Sequence, residues 1–199
     1  MSADKPALIL ASTSPYRRGL LERLRLPFVA EAPGVEELAR PGEAAAALAL
    51  RLAQAKAVAV ARRRARAVVI GSDQVAECQG RVLGKPGTAE RAREQLALAS
   101  GTTVVFHTAV AVVHADGVTC ETHTDLTRVR FRRLGAEEIE RYVELDAPLD
   151  CAGSFRSEGL GVALFEAIET RDPAALVGLP LIWLAGALGR AGLNPLAAG

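Results

Sequence analysis

Four short segments of the chain could do chemistry, because they place polar or charged groups at the ends of buried elements. The first is Ser12-Thr13-Ser14-Pro15-Tyr16-Arg17-Arg18, which follows an apolar run and opens a helical pattern. Free N–H groups at a helix start, hydroxyls and an adjacent guanidinium together make a phosphate cradle. The same residues equally make an ordinary N-cap with solvated arginines. The second is Ile70-Gly71-Ser72-Asp73-Gln74. It puts an aspartate directly after a buried strand, a place from which side chains commonly enter a crevice. That carboxylate could hold a divalent metal or take a proton from water. A turn aspartate satisfying backbone amides is the plainer alternative. The third, Gly84-Lys85-Pro86, fixes a lysine between two backbone-restricting residues, or is simply a turn. The fourth, Ala152 to Gly159, is a polar loop long enough to touch a ligand.

Lysine usage adds to this. Of the 24 basic side chains only three are lysine: Lys5, Lys56 and Lys85. In a chain that otherwise uses arginine, a lysine invites a chemical reason. A compact ammonium on a flexible stem suits a point contact with phosphate, which a planar guanidinium makes differently.

The elements that must hold these groups read as follows. Ala7–Ala11 is a buried strand, and Ser14 caps a helix over about Tyr16 to Leu24 with Pro15 at its first position. A long Ala/Leu/Arg helix is predicted from about Glu43 to Arg64. The basic run Arg62-Arg63-Arg64-Ala65-Arg66 would close it, since cations complement a helix C-terminus. Val68 to Ile70 reads as a short strand ending at Gly71, and Val75 to Leu83 as a hairpin around Gln79-Gly80. A helix over Ala89 to Ala99, a long hairpin from Thr102 to Arg132 and a helix from Ala136 to Leu145 come next. A strand over Val162 to Ile168 and a final helix over Leu181 to Arg190 complete the reading. Strands and helices mix without strict alternation. That predicts a single α/β domain over residues 1–199, with a mixed β-sheet flanked by helices. GxGxxG and the Walker P-loop are both missing, so two common nucleotide-binding routes are excluded.

Composition removes other classes. Basic and acidic residues number 24 and 23, and no Lys/Arg cluster stands out beyond the run at Arg62. A nucleic-acid polymer or an anionic membrane is therefore a poor main partner. No apolar stretch approaches the ~18 residues of a membrane span. The start, Met1 to Pro6, is charged, and Ala7 to Ala11 is too brief for a signal-peptide core. Cys78, Cys120 and Cys151 form no CxxC pair, and His107, His114 and His123 match no zinc spacing. The expected compartment is the cytoplasm.

Taken together, the segments resemble the Maf family of nucleoside triphosphate pyrophosphatases. Leu8 to Arg18 (LILASTSPYRR), Val35-Glu36-Glu37, Arg51 to Lys56 (RLAQAK), Gly71 to Val75 (GSDQV), Gly84-Lys85-Pro86 and Leu176 to Pro180 (LVGLP) stand in the family's order. The resemblance implies an inosine triphosphatase-like fold with two lobes around a cleft. It also implies hydrolysis of a nucleoside triphosphate between the α- and β-phosphates, to the monophosphate and pyrophosphate, with Mg²⁺ or Mn²⁺. Carried onto this chain, Ser12, Ser14, Arg17, Lys56 and Lys85 would hold the triphosphate. Glu37 and Asp73 would hold the metal, and Asp73 would activate water. The family often has Asp-Glu where this chain has Glu36-Glu37, which leaves open which of the two faces the metal. Thr170 replaces a glycine usual before Arg171-Asp172-Pro173. A homodimer is implied as well.

Within the family the chain resembles the 7-methyl-GTP subgroup through Tyr16, Gln74 and Glu158, where the dTTP/UTP enzymes have arginine, threonine and glutamine. Physical chemistry agrees with this. Methylation at the guanine seven-position makes the ring cationic, and an aromatic face such as Tyr16 attracts a cation by about 0.5–2 kcal/mol. A carboxylate such as Glu158 accepts hydrogen bonds from the ring N–H and exocyclic amine. Pyrophosphohydrolysis of dTTP, UTP or modified pyrimidine triphosphates is the alternative. A nucleotide-sensing division regulator without turnover is another.

Overall fold

The apolar run Ala7–Ala11 forms β1, a strand flanked by two others and buried along four of its five residues. Cover on both faces is why it shows no polar alternation. The structure, a computed structural model, describes residues 6–197; the charged start, Met1 to Lys5, lies outside them. After β1 the chain enters α1 (Pro15–Glu22), with proline in the first turn and the Ser14 hydroxyl accepting the Arg17 amide. There follow β2 (Phe28–Ala30), α2 (Ala45–Ala61), β3 (Ala67–Cys78), β4 (Arg81–Leu83), α3 (Ala89–Ala99), β5 (Thr103–Val113) and β6 (Cys120–Phe131). The chain ends with α4 (Ala136–Asp146), two short 3₁₀ turns, β7 (Phe165–Glu169) and α5 (Leu181–Arg190). The strands make one mixed sheet in the order β2-β1-β3-β5-β6-β7, with β4 paired to β3. β2 and β3 run parallel to β1, and the remaining pairs are antiparallel. This is the mixed α/β architecture expected from the sequence.

Two long strands divide the molecule. The first half of β3 and the last half of β5 are sandwiched between helices. Leu48, Leu52 and Val60 of α2 pack on Ile9, Val69 and Ala111, while Leu20, Leu21, Leu184 and Leu188 cover Leu10, Ile70 and Val112 on the opposite face. The other halves carry a separate cluster in which Ala76, Cys78, Val104 and Phe106 meet Leu96 of α3 and Ile139 and Val143 of α4. Asp73 sits where β3 passes from one half to the other.

How closely α2 lies on β3 is set by Gly71. A Cβ there would fall 2.2 Å from the Ala53 carbonyl and 2.5 Å from the Ala57 nitrogen, so only glycine fits. The helix residue next to this contact is Lys56.

The sequence reading departs from the structure in definite places. β3 does not end at Gly71. It continues to Cys78, with Ser72 and Asp73 paired to Val110 and Ala109 of β5. Ser72 and Asp73 look like turn residues, yet both are buried within the sheet, because tertiary partners override their turn preference. Residues 160–164 form a 3₁₀ turn, and the strand begins only at Phe165. The three-residue strand β2 was not expected. α2 stops at Ala61 with Arg62 as its C-cap, and Arg63 and Arg64 pair with Glu31 at 3.1 and 2.7 Å. The basic run thus lies at and just past the helix end rather than in its last turn, which carries no basic residue, and Arg63 and Arg64 answer Glu31. Among the described residues no helix is long and apolar enough to cross a membrane.

Candidate active site

Three charged side chains converge at the midpoint of β3. Lys56 Nζ lies 2.6 Å from Asp73 Oδ1 and 2.6 Å from Glu37 Oε1. Lys56 is 4% exposed and Asp73 6%, whereas Glu37 stands on an exposed loop between β2 and α2. Burial pushes the Asp73 carboxyl above the usual range, and Glu37 adds to that, against the pull of Lys56 and Arg17. For Glu37 desolvation also acts upward, but the Lys56 hydrogen bond and the charges of Lys56, Lys85 and Arg17 outweigh it and hold the group low. The loop carrying Glu37 is tied to α2 by Arg51, which donates to the Leu38 carbonyl at 2.9 Å and grips Glu43 at 2.6 and 2.7 Å. Of the acidic pair, Glu37 is the one that reaches the cavity and Lys56; Glu36 does neither.

These groups line a cavity of ≈ 620 Å³, within the size range of small-molecule sites. Ser12, Ser14, Arg17, Lys85 and Gln74 line it too, so every residue expected to hold a triphosphate is on one wall system. Ser12 Oγ accepts the Ser14 amide at 3.1 Å, and the Arg17 Nε–H donates to the Gly178 carbonyl at 2.9 Å. Burial draws the Arg17 guanidinium below its ordinary value, while Asp73 and Glu37 oppose the shift. Gln74 is engaged as well as exposed to the cavity. Its amide nitrogen meets Thr108 Oγ1 at 2.9 Å and the Ala175 and Leu176 carbonyls at 3.0 Å.

Another part of the cavity wall is of different character. Tyr16 donates to Asp150 Oδ2 at 3.3 Å, and Arg156 Nη2 approaches Asp150 Oδ1 at 3.3 Å. Burial, Cys151 and Asp150 push the Tyr16 phenol up to about 12, so the ring is neutral at ordinary pH. Glu158 is exposed and accepts the Ser157 hydroxyl at 2.7 Å. Asp150 was not foreseen from sequence. It follows Pro148-Leu149 in a loop, with no spacing signal tying it to Tyr16, 134 residues away.

No cluster of three or more His, Cys, Asp or Glu suited to a metal occurs among the described residues. Glu37 and Asp73 are hard oxygen donors of the kind that bind Mg²⁺ or Mn²⁺ together with substrate phosphates and water, with Lys56 Nζ standing between them in this structure. The three histidines stay apart from it: His107 is in β5, His123 in β6, and His114 pairs with Glu121 at 2.8 Å.

A sheet-borne aspartate, buried lysine and helix-start hydroxyls in one cleft agree with a family assignment. The model of the Maf-like proteins matches residues 7–191, and the chain belongs to that family. It is 58% identical over 190 residues to the 7-methyl-GTP pyrophosphatase of Xanthomonas axonopodis pv. citri, covering 95% of this chain and 98% of that protein. It is 55% identical over 196 residues to the 7-methyl-GTP pyrophosphatase of Bordetella pertussis, with 98% of each chain covered. Identity to the protein of that name in Alkalilimnicola ehrlichii is 59% over 182 residues, 92% of each chain. Among solved structures, a HAM1 protein from Coxiella burnetii aligns with 93% of this chain and 99% of its own, at 14% identity and a TM-score of 0.48.

Proposed function

We propose that the protein hydrolyses 7-methyl-GTP between the α- and β-phosphates, releasing 7-methyl-GMP and pyrophosphate and so clearing a modified nucleotide. The supporting observation is the Glu37–Lys56–Asp73 constellation, facing the same cavity as Arg17, Lys85 and the Ser12/Ser14 turn. The names of relatives more than half identical over nearly the whole chain favour the same reaction.

Ser12 and Ser14, with the amides of the α1 start, receive phosphate oxygens, and Arg17, Lys56 and Lys85 neutralise the tail. Glu37 and Asp73 would hold Mg²⁺ or Mn²⁺, whose contribution there is charge neutralisation on the phosphate oxygens. Asp73 orients the attacking water and takes its proton. Phosphoryl-type transfer needs mainly positioning and charge compensation, which this set provides. Tyr16 offers its face to the cationic base, and Glu158 accepts its N–H groups. The cytoplasm as compartment and a homodimer as assembly belong to the same reading.

The test is a panel of 7-methyl-GTP, GTP, dTTP and UTP at equal concentration with Mg²⁺, the products identified chromatographically. Highest kcat/KM for 7-methyl-GTP with pyrophosphate release is expected. A preference for the pyrimidines would overturn the assignment of the base, and binding without turnover would overturn the enzyme.

A further inference from the structure

The loop between β7 and α5 turns three backbone carbonyls toward the strands beneath it, and one of them holds Arg17. The Gly178 carbonyl accepts Arg17 Nε at 2.9 Å and lies 2.9 Å from the Ser72 hydroxyl. Ser72 is fully buried, with the Ala109 carbonyl at 2.8 Å as the other acceptor for its single proton. Thr108, also fully buried, donates to the Ala175 carbonyl at 2.9 Å, alongside the bonds from Gln74. Asp172, 4% exposed, braces the loop from within. Its Oδ1 accepts the Ala174 amide at 2.9 Å, and its Oδ2 accepts the Ile182 amide at 2.6 Å in the first turn of α5.

A carbonyl oxygen has two lone pairs, and Arg17 and Ser72 between them can use both at Gly178. Docking Nε in this way fixes the plane of the guanidinium. Its terminal nitrogens make no protein hydrogen bond among the described residues and remain available to an anion in the cavity. Glycine suits the junction because its φ is +125°, a conformation that residues with a Cβ rarely adopt. Lysine at position 17 would keep the charge and lose this docking.

We propose that the Asp172–Pro180 loop is the positioning element of the phosphate site, orienting Arg17 through the Gly178 carbonyl, with Ser72 and Asp172 as positioning residues. This rests on the reading of Arg17 as a phosphate ligand. The test is a double-mutant cycle of Asp172→Asn and Arg17→Ala with two readouts: affinity for inorganic tripolyphosphate by calorimetry, and kcat/KM for 7-methyl-GTP. Asp172→Asn alone is expected to weaken tripolyphosphate binding about tenfold and Arg17→Ala by more, and the double variant to match Arg17→Ala within about twofold. Multiplying losses, or tripolyphosphate binding indifferent to Arg17→Ala, overturns the proposal. If Asp172→Asn does not unfold cooperatively, Ser72→Ala takes its place in the cycle with the same expectation. A wild-type protein that leaves 7-methyl-GTP intact contradicts the substrate reading alone, since tripolyphosphate affinity still decides this one.

Discussion

The two kinds of wall in the cavity are built differently. Around Asp73 the functional groups stand on regular elements: a strand paired to β5 from Val69 onward and to β1 as far as Gly71, a helix packed to contact on Gly71, and the capped start of α1. Around Tyr16 the partners are Asp150 and Cys151, on a loop with two 3₁₀ turns whose Asp150 and Glu158 are exposed to solvent. Cleaving an anhydride demands fixed positions, because misplacement of about 1 Å can cost a hundredfold in rate. Choosing a base demands only a suitable surface, which loops can vary without disturbing the sheet. Under the proposed function, the division of labour between the two walls follows from those requirements.

Gly71→Ala should break the rigid side most severely. Its methyl group would collide with the Ala53 and Ala57 backbone and push α2 away from β3, carrying Lys56 from Asp73. A stability loss of about 1–3 kcal/mol or more in urea unfolding is expected from such overpacking, with turnover falling further than the unfolded fraction explains. Lys85→Ala touches the same wall at an exposed position. It should raise KM about tenfold while unfolding stays within about 0.5 kcal/mol of wild type. On the loop side, Glu158→Gln should lower the 7-methyl-GTP to GTP ratio of kcat/KM by about tenfold or less and leave the fold unchanged. An equal fall for both nucleotides would assign Glu158 to phosphate binding instead.

The smallest effect concerns the tether of the Glu37 loop. The Arg51 hydrogen bond and the Arg40 amide hold Glu43 down at about 2, against about 4.3 for an unperturbed glutamate. Between those values the unfolded chain binds the proton more readily. The stabilisation is complete above the upper value and disappears as pH falls through the lower one. Glu43→Gln should therefore flatten the loss of stability between about pH 4.5 and 2 in acid titrations followed by circular dichroism.

Much of the rigid side could be read from the chain. Ser14 and Pro15 announce a helix start by local chemistry, and the rarity of lysine marks Lys56 and Lys85. Asp73 reads from sequence as a candidate acid–base group just past a strand end, because Gly-Ser-Asp is turn-like locally and only β5 makes it strand. Glu37 over Glu36 needed the partner Lys56 to be in place. The wall around Tyr16 was legible only through Tyr16 and Glu158 themselves. Asp150 meets Tyr16 through tertiary folding, which no periodicity records. The family motif Leu176 to Pro180 was visible as a pattern, but its carbonyl contacts to Ser72, Gln74 and Arg17 exist only once β3 and α1 lie beneath it.

In the proposed reaction Asp73 takes the proton of the attacking water, and Asp73→Asn keeps its size and most of its contacts. Pyrophosphate release from 7-methyl-GTP by wild type and this variant, measured side by side with Mg²⁺ and with tripolyphosphate affinity as the control for an intact site, tests it most directly. A fall in kcat of about a hundredfold or more with binding retained is predicted. Release by Asp73→Asn at the wild-type rate would contradict it.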